Sequence, residues 1–353
     1  MSLNKIDNSL FFDTRDRSNL PFQIYIGGRG IGKTYSTLRN QRIDSNGNKI
    51  LPTKESKFLY CRRMAKEIEV CASEISNPFK RINRDYNLAV RAEYTRKEGY
   101  AVFYDDTLEK DSTVEPIGYG VALSTFSGLR GVDFSDVTTI IFDEFIAESH
   151  IRRIKNEGKV FLNMYETINR NRELQGEEPV KVYLLANSIS LASGILLEMG
   201  AVPTMASMIA KGQSRASIKE RGLYIEIIDS SQLGEIKSQT ALYKLTKDSD
   251  FSKEAIMNQF THDNLELAKK VVINEYRPVF NFNDTYTYYK HKSRDEMYLA
   301  KRVDKAPMNF TASDVDRLDA MFGMSYERQI LSRRLFFDDY STKLVFDSLF
   351  GLL

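Results

Sequence analysis

The sequence lacks the features of a secreted or membrane-bound protein. It has only two cysteines, Cys61 and Cys71, and their spacing fits neither a metal site nor a disulfide framework. No segment approaches the roughly 18 apolar residues that a membrane span needs, and the apolar run near the N-terminus is shorter than that of a signal peptide. We therefore expect a soluble protein of a reducing, intracellular compartment with no membrane partner.

An excess of charge of one sign is also missing. The formal net charge is only +2, although 28% of the residues are charged. This balance argues against a histone-like protein or an acidic scaffold, and it leaves room for local basic patches. The length of 353 residues favours two domains. Hydrophobic residues make up 42% of the chain and aromatic residues 11%, which is enough for well-packed cores.

The clearest motif is a glycine-rich segment, GGRGIGKT, at residues 27–34. The apolar run PFQIYI precedes it and is typical of a buried strand, and TYSTLRNQRI follows with helical spacing. Strand, glycine loop and helix form the order of a phosphate-binding loop, whose backbone N–H groups turn towards phosphate. The residues predicted to bind ATP are Gly27, Gly28, Arg29, Gly30, Ile31, Gly32, Lys33 and Thr34.

A second motif, VTTIIFDEF at residues 137–145, is an apolar strand that ends in two acids. In a phosphate-binding loop Lys33 reaches the β- and γ-phosphates, and the Thr34 hydroxyl binds Mg²⁺. We predict that Asp143 also binds Mg²⁺ and that Glu144 polarises the attacking water as general base. An acidic turn after a strand explains either acid alone, but it explains the pair poorly beside the glycine loop.

A third apolar strand, VKVYLLANSIS at residues 180–190, is of the kind found in a parallel sheet covered on both faces. Asn187 follows it at the edge where α/β sheets bind ligands. It either couples hydrolysis to movement, by sensing the γ-phosphate or orienting water, or it caps the next helix. Further strands are expected at 57–63 and 119–126, with a hairpin at 88–106.

The segment KVFLNMYETINRNREL, residues 159–174, has the apolar spacing of a helix. Arg170 falls opposite the apolar face, whereas Arg172 falls on it and is more structural. An outward arginine is usually solvated, but in an oligomeric ATPase a neighbour's arginine completes the site and stabilises transition-state charge. We predict Arg170 as this arginine finger and Arg130, in the loop SGLRGVD, as a second candidate.

Taken in order, GGRGIGKTYS, TTIIFDEFI, NRNREL and LLANSIS resemble the DNA-packaging ATPases of small podophages, and MSYERQILSRRLFFDDY extends the match more weakly. The resemblance implies an α/β P-loop NTPase of the additional-strand, catalytic-glutamate class with a parallel-sheet core. A smaller α+β ribonuclease-H-like domain would follow it. The implied cofactors are ATP and Mg²⁺.

The resemblance also implies partners and residue roles. The motor would be a homo-oligomeric ring, a pentamer, docked on the procapsid portal (the connector), with double-stranded DNA and a structural packaging RNA as partners. It would act in the host cytoplasm, transiently at the portal vertex, and be absent from the mature virion. Lys33, Thr34, Asp143 and Glu144 would keep the roles given above. Arg170 and Arg130 would act in trans, Asn187 would couple, and Arg29 would contact the γ-phosphate or a neighbour.

The second half changes character after residue 197. We predict an ATPase domain at 1–197, a linker or lid at 198–222 and a nucleic-acid-binding domain at 223–353, which begins with the strand LYIEIID. A hairpin is expected where TYTYYKH and MYLAKRV flank a polar turn. Its cations and tyrosines suit nucleic-acid contact, and an ordinary half-solvated sheet explains them equally well. These tyrosines are Tyr286, Tyr288, Tyr289 and Tyr298.

A two-metal nuclease needs a cluster of carboxylates. Glu226, Asp229 and Glu275 lie on or beside expected strands, but no spacing identifies a cluster, so we predict a module that does not cleave. The expected function is ATP-driven translocation of double-stranded DNA into a procapsid. The alternatives are a full terminase with an active nuclease and a nucleotide-switched protein that is no motor. Candidate DNA contacts are Arg62, Arg63 and Lys66.

Overall fold

The structure is a computed structural model, and the chain divides into two compact units. One comprises Met1–Ser190 with Gly212–Thr261, and the other comprises Leu191–Lys211 with His262–Leu353. Within the described residues no helix is both long and apolar enough to cross a membrane. The structure describes residues 10–50, 56–108, 115–147, 154–187, 191, 193–247, 249, 252 and 265–350.

The first unit is built on a nine-stranded sheet with the order β3-β4-β5-β2-β6-β7-β1-β9-β8. Its central strands pair in parallel, and they are the continuous apolar runs expected of strands that are buried on both faces. The strands are β1 (Phe22–Ile26), β2 (Lys57–Arg62), β3 (Val90–Thr95), β4 (Tyr100–Asp105), β5 (Gly118–Ala122), β6 (Val137–Asp143), β7 (Lys181–Ala186), β8 (Arg215–Ile218) and β9 (Leu223–Ile227).

Strand β7 lies between β1, which enters the glycine loop, and β6, which ends in the acidic pair. Ile26 is in register with Ala186, and Asp143 is in register with Leu185. The carboxyl ends of the three strands therefore meet at one edge of the sheet, and this is where α/β sheets bind ligands.

The described helices of the first unit are α1 (Lys33–Arg39), α2 (Ala65–Cys71), α3 (Lys80–Tyr86), α4 (Glu157–Asn169), α7 (Ser231–Ser238) and α8 (Ala241–Leu245). The predicted apolar face of α4 is confirmed, because Phe161, Met164 and Ile168 are fully buried. The helix is shorter than the predicted 159–174. It ends at Asn169 because Arg170 and Asn171 both adopt the left-handed conformation.

The predicted domain boundary near residue 222 does not coincide with the division between the two units of the structure. β9 pairs in parallel with β1 over its whole length, and β8 pairs antiparallel with β9, so both belong to the first sheet. The expected linker, 198–222, contains two regular elements. Helix α6 (Val202–Lys211) belongs to the second unit, and strand β8 belongs to the first. A buried strand has the same apolar pattern in either sheet, and its pairing partner is not visible locally.

The second unit contains a five-stranded sheet in the order β13-β10-β11-β12-β14. β10, β11 and β12 are antiparallel neighbours, β13 runs parallel to β10, and β14 runs parallel to β12. The strands are β10 (Tyr276–Phe282), β11 (Tyr286–His291), β12 (Met297–Ala300), β13 (Met308–Phe310) and β14 (Leu335–Phe337), and the further helices are α5 (Gly194–Glu198), α9 (Val315–Leu331) and α10 (Tyr340–Leu349).

Both predicted hairpins are confirmed, because β3 pairs antiparallel with β4 and β11 with β12. The tyrosines of the second hairpin do not form an open stacking surface. Tyr288, Tyr289 and Tyr298 are at most 5% exposed, and Tyr286 is partly buried. Their apolar rings pack inside the unit, so the structure favours the ordinary-sheet interpretation of this hairpin.

Candidate functional site

The glycine loop follows β1 and is tightly packed. A Cβ atom at Gly27 would lie 2.7 Å from Ile31 Cδ1 and 2.9 Å from Ile228 Cβ, so a side chain there would force the loop apart. Gly32 has a φ of +100°, a conformation that other residues rarely adopt. Glycine is therefore required by packing at one end of the loop and by backbone conformation at the other.

Lys33 lies folded over the loop. Its Nζ donates hydrogen bonds to the carbonyl oxygens of Gly27 and Gly28, at 2.7 and 2.9 Å, and to Asn187 Oδ1 at 3.3 Å. Burial lowers the pKa of Lys33 to about 7, and the nearby Asp143 opposes this shift only in part. An anion bound in the loop would favour the charged ammonium. This contact also brings Asn187 beside the loop, at the carboxyl end of β7.

Asp143 and Thr34 meet at the same edge. Thr34 Oγ1 donates a hydrogen bond to Asp143 Oδ1 at 2.9 Å, and the Tyr60 hydroxyl donates to Asp143 Oδ2 at 3.0 Å. Asp143 is only 6% exposed. A hydroxyl and a carboxylate are hard oxygen donors, and Mg²⁺ prefers such ligands. The two side chains therefore fit a magnesium ion that also binds phosphate.

Glu144 is held in a strained backbone conformation beside Asp143. Its φ is +52°, which is uncommon outside glycine and occurs preferentially at functional sites. Its side chain is 54% exposed, and Oε2 accepts a hydrogen bond from Arg62 Nη2 at 2.5 Å. The carboxylate is accessible to solvent and is paired with a cation in this conformation.

Arg62 is a member of the site rather than a surface cation. Its guanidinium contacts Asp143 Oδ2 at 3.3 Å and Glu67 Oε1 at 2.8 Å, in addition to Glu144. From the sequence alone Arg62 is a candidate DNA contact, because a cation at a strand end gives no sign of its partners. In the structure the Arg62 guanidinium forms ion pairs with three carboxylates of its own chain.

The other two DNA candidates differ from each other. Arg63 is 3% exposed, and its Nε donates to Glu157 Oε1 at 2.7 Å, so the predicted contact with DNA would need a different conformation of this side chain. A side chain enclosed in the core cannot reach a phosphate backbone. Lys66 has a side chain that is 76% exposed and pairs with Glu69. Its contact with DNA stays a prediction.

The two candidate arginine fingers, Arg170 and Arg130, are far from the glycine loop along the sequence. The Arg170 side chain is 47% exposed, and Nη1 contacts Asp133 Oδ1 at 3.4 Å. Arg130 is exposed in the segment that leads to Asp133. Among the described residues neither arginine has a hydrogen bond or an ion pair with the loop of its own chain. Their action in trans stays a prediction.

The nuclease candidates belong to two different units of the chain. Glu226 and Asp229 belong to the first unit, where Glu226 pairs with Arg215 at 3.1 Å, and Asp229 accepts a hydrogen bond from the Ser231 N–H. Glu275 belongs to the second unit and lies beside His291. Across the part of the chain that the structure describes, no group of three or more histidine, cysteine, aspartate or glutamate side chains could hold a metal ion.

Two features beside the loop have no signal in the sequence. Lys237, on α7, donates a hydrogen bond to the Arg29 carbonyl oxygen. A cavity of about 250 Å³ also opens next to Ile31. No local motif marks either feature, because each depends on β9 lying next to β1. The cavity is lined by Leu10, Phe11, Phe12, Arg17, Ile31, Ser214, Arg215, Glu226, Ile228, Asp229 and Ser230.

Comparison with known proteins gives consistent matches. The family described as "Podovirus DNA encapsidation protein (Gp16)" matches residues 6–336. The "DNA packaging protein" of Bacillus phage phi29 is 27% identical over 271 residues, which cover 75% of this chain and 70% of that protein.

Two solved structures share the fold over nearly the whole chain. "The Phi-28 gp11 DNA packaging Motor" aligns with a TM-score of 0.63 at 17% identity and covers 95% of both chains. "The bacteriophage Phi-29 viral genome packaging motor assembly" aligns with a TM-score of 0.61 at 18% identity and covers 97% of this chain and 99% of that one.

Proposed function

This chain belongs to the Podovirus DNA encapsidation protein (Gp16) family, and we propose that it hydrolyses Mg-ATP to translocate double-stranded viral DNA into a procapsid. One observation carries this proposal. Two distant segments of the chain, one with Lys33 and Thr34 and the other with Asp143 and Glu144, converge on the edge of one sheet. A phosphate-binding lysine, two metal-binding oxygen groups and a solvent-accessible carboxylate are the parts of an NTP-hydrolysing site.

Nucleotide binding follows from the loop and the cavity beside it. The loop and Lys33 take the phosphates, and Thr34 and Asp143 hold Mg²⁺, which neutralises phosphate charge when bound. The cavity is smaller than a typical drug-sized pocket, and it suits a flat base rather than a whole nucleotide. Apolar side chains such as Phe12 and Ile31 could pack on the face of a base, and polar side chains such as Glu226 and Ser230 could bind its edge. We assign the base of ATP to this cavity.

Glu144 is the general base for the attacking water. It follows β6, and the insertion of β7 between β6 and β1 supports assignment to the additional-strand, catalytic-glutamate class. In this conformation the Arg62 guanidinium occupies Oε2 of Glu144, the position that an attacking water would need in order to hydrogen-bond to that oxygen. Hydrolysis therefore requires Arg62 to shift away from Glu144.

The active motor is a ring, a pentamer at the procapsid portal, with a packaging RNA as a further partner. Arg170, with Arg130 as its helper, supplies charge to the site of the adjacent subunit. Their outward side chains and the absence of contacts to their own loop, among the described residues, support this role. Two relatives of the same fold bear the name of packaging motor or motor assembly.

The second unit is a nucleic-acid-binding module of ribonuclease-H-like ancestry that does not cleave. Its mixed sheet around three antiparallel strands is compatible with such a domain. The carboxylates that a two-metal nuclease requires are not grouped within its described residues. Incubation of the full chain with Mn²⁺ and plasmid DNA tests this proposal, and any nicking would contradict it.

The test of the whole proposal is an ATPase assay of the wild-type chain alone, with double-stranded DNA, and with procapsids plus DNA. We expect turnover to rise when the assembled motor engages DNA. The packaged DNA, measured as nuclease-resistant DNA, should require ATP. A chain that hydrolyses ATP equally fast in all three mixtures and packages nothing would contradict the motor and favour a nucleotide switch.

A further inference from the structure

Helix α7 is fixed beside the glycine loop by its packing. Leu233, on this helix, is 2% exposed and belongs to the same core cluster as Ile31 of the loop. Ile228, which connects β9 to the helix, belongs to that cluster too, and its Cβ lies close behind Gly27. The loop, the end of β9 and α7 are therefore parts of one packed body, and the position of α7 depends on that of the loop.

This packing brings a second ammonium group to the loop. Lys237 Nζ donates a hydrogen bond to the Arg29 carbonyl oxygen, and it lies 3.4 Å from the point where Gly30 would carry a Cβ atom. The side chain is partly buried, and this desolvation lowers the pKa of Lys237.

Two partly or fully desolvated cations on one short loop are an unfavourable arrangement unless an anion joins them. The carbonyl oxygens of Gly27, Gly28 and Arg29 accept their hydrogen bonds but carry no net charge. A polyphosphate in the loop would supply the missing negative charge. The two lysines therefore form a site whose charge is completed by its ligand.

The position of Lys237 also selects one end of the ligand. In a loop of this kind the motif lysine reaches the β- and γ-phosphates. Lys237 reaches the same loop at the Arg29 carbonyl oxygen and beside Gly30, in the segment that leads to Lys33. Building on the proposed ATPase function, we propose that Lys237 is a second phosphate-binding lysine, which contacts the γ-phosphate of ATP held in the glycine loop.

The contact would link the ligand to a segment far from the loop in sequence. Along the chain, α7 follows the last core strand and precedes the point at which the second unit resumes at His262. Departure of the γ-phosphate would remove the anion that holds Lys237. Lys237, on helix α7, is thus placed to distinguish ATP from ADP in the loop.

The test is a titration of the full chain with fluorescent ATP and ADP analogues, the ATP analogue being non-hydrolysable. Loss of a charge-assisted hydrogen bond predicts that Lys237→Ala weakens ATP binding about tenfold or more, with a smaller effect on ADP. Lys237→Arg, which keeps the charge, should recover most of the ATP affinity. The control is Lys244→Ala, an exposed lysine on α8, which should change neither affinity.

The outcomes separate this inference from the proposed function. If the wild-type chain bound neither nucleotide, the proposed ATPase function would fail, and the inference with it. If the wild type bound both and Lys237→Ala retained wild-type affinity for ATP, only the role of Lys237 would be overturned. An equal loss for ATP and ADP would also overturn it, because it would show that Lys237 braces the loop instead of contacting the γ-phosphate. Lys237→Gln repeats the comparison should the alanine variant be unstable.

Discussion

Charged side chains differ in exposure and pairing between the carboxyl edge of the first sheet and the core of the second unit. At the edge, Glu144 is strained, 54% exposed in its side chain and paired with an arginine that also contacts Asp143. In the second unit, Lys343 pairs with Asp347, and both side chains are at most 10% exposed. The first arrangement leaves charged groups available to a ligand. The second satisfies them internally, as is typical of a structural network.

This contrast assigns the chemistry to one edge of one sheet. It also separates two kinds of cation that composition alone does not distinguish. Lys33 donates to carbonyl oxygens of the glycine loop and Arg62 pairs with carboxylates at the sheet edge, whereas Arg63 is enclosed with Glu157. The same residue type therefore serves a reactive site in one place and the packing of the core in another.

The largest expected effect concerns a charged group that acts on the site of a neighbouring chain. Arg170→Ala should lower the DNA-stimulated ATPase rate about 10³-fold or more, because an arginine finger stabilises charge that develops only in the transition state. Rings that mix Arg170→Ala with Glu144→Gln subunits should regain part of the rate, because each variant supplies what its neighbour lacks. The measurement is the ATPase rate against mixing ratio.

The matched control for Arg170 is Arg84→Ala, an exposed arginine on α3, which should leave the rate near wild type. No recovery at any mixing ratio would contradict action in trans and would leave Arg170 as a surface residue of its own subunit.

A second experiment tests the reactive edge directly. Glu144→Gln keeps the shape of the side chain but cannot accept a proton, so turnover should fall about 10²- to 10⁴-fold while ATP still binds. Single-turnover hydrolysis and equilibrium binding measure the two effects separately. Glu98→Gln, at the exposed β3–β4 turn, is the control. Hydrolysis at the normal rate by Glu144→Gln would show that another group activates the water.

The sequence was sufficient for features that are encoded locally. The glycine loop, the Asp143–Glu144 pair and both hairpins depend on short spacings that one strand or turn determines. The pairing of β9 with β1 depends instead on residues about two hundred positions apart, and an apolar strand does not name its partner. The domain boundary was misplaced for this reason.

The contacts of site residues that depend on such distant pairings cannot be predicted from local sequence. Arg62 and Glu144 are 82 positions apart, and Lys237 and Arg29 are 208 positions apart. Arg62 has the same local signature as a surface cation, and Lys237 lies in an unremarkable helix. Only the register of the sheet brings these cations to the carboxylates and carbonyl groups that they contact.

A third prediction concerns the protonation of Lys33. Burial lowers its pKa to about 7 from the ordinary 10.5, so between these values the unfolded chain binds a proton that the folded chain does not. The free energy of unfolding of the nucleotide-free protein should therefore rise with pH through this window, by up to about 1.4 kcal/mol per pH unit from this group. Lys33→Met should lack this rise.

Urea unfolding at several pH values between 6.5 and 9.5 measures the difference between wild type and Lys33→Met. Lys244→Met, which removes an exposed lysine, should follow the wild-type pH dependence. Parallel curves for wild type and Lys33→Met would show that Lys33 stays charged in the folded protein, and the edge would then resemble an ordinary solvated surface.

The smallest expected effect tests the other half of the contrast, the internally satisfied charge of the second unit. Tyr326 is 1% exposed, and its hydroxyl donates to Asp347 Oδ1 at 2.8 Å. Tyr326→Phe removes one donor from a buried carboxylate that Lys343 still neutralises. The free energy of unfolding should therefore fall by about 1–2 kcal/mol, seen as a lower urea midpoint.

The control is Tyr288→Phe in the same unit, since among the described residues the Tyr288 hydroxyl has no hydrogen bond. It should change stability by less than about 0.5 kcal/mol. Neither variant should alter ATP affinity, because the network lies in the second unit and the loop lies in the first. If Tyr326→Phe weakened ATP binding as strongly as it weakened folding, the buried network would be part of the nucleotide response, and the division between a reactive edge and a structural core would no longer hold.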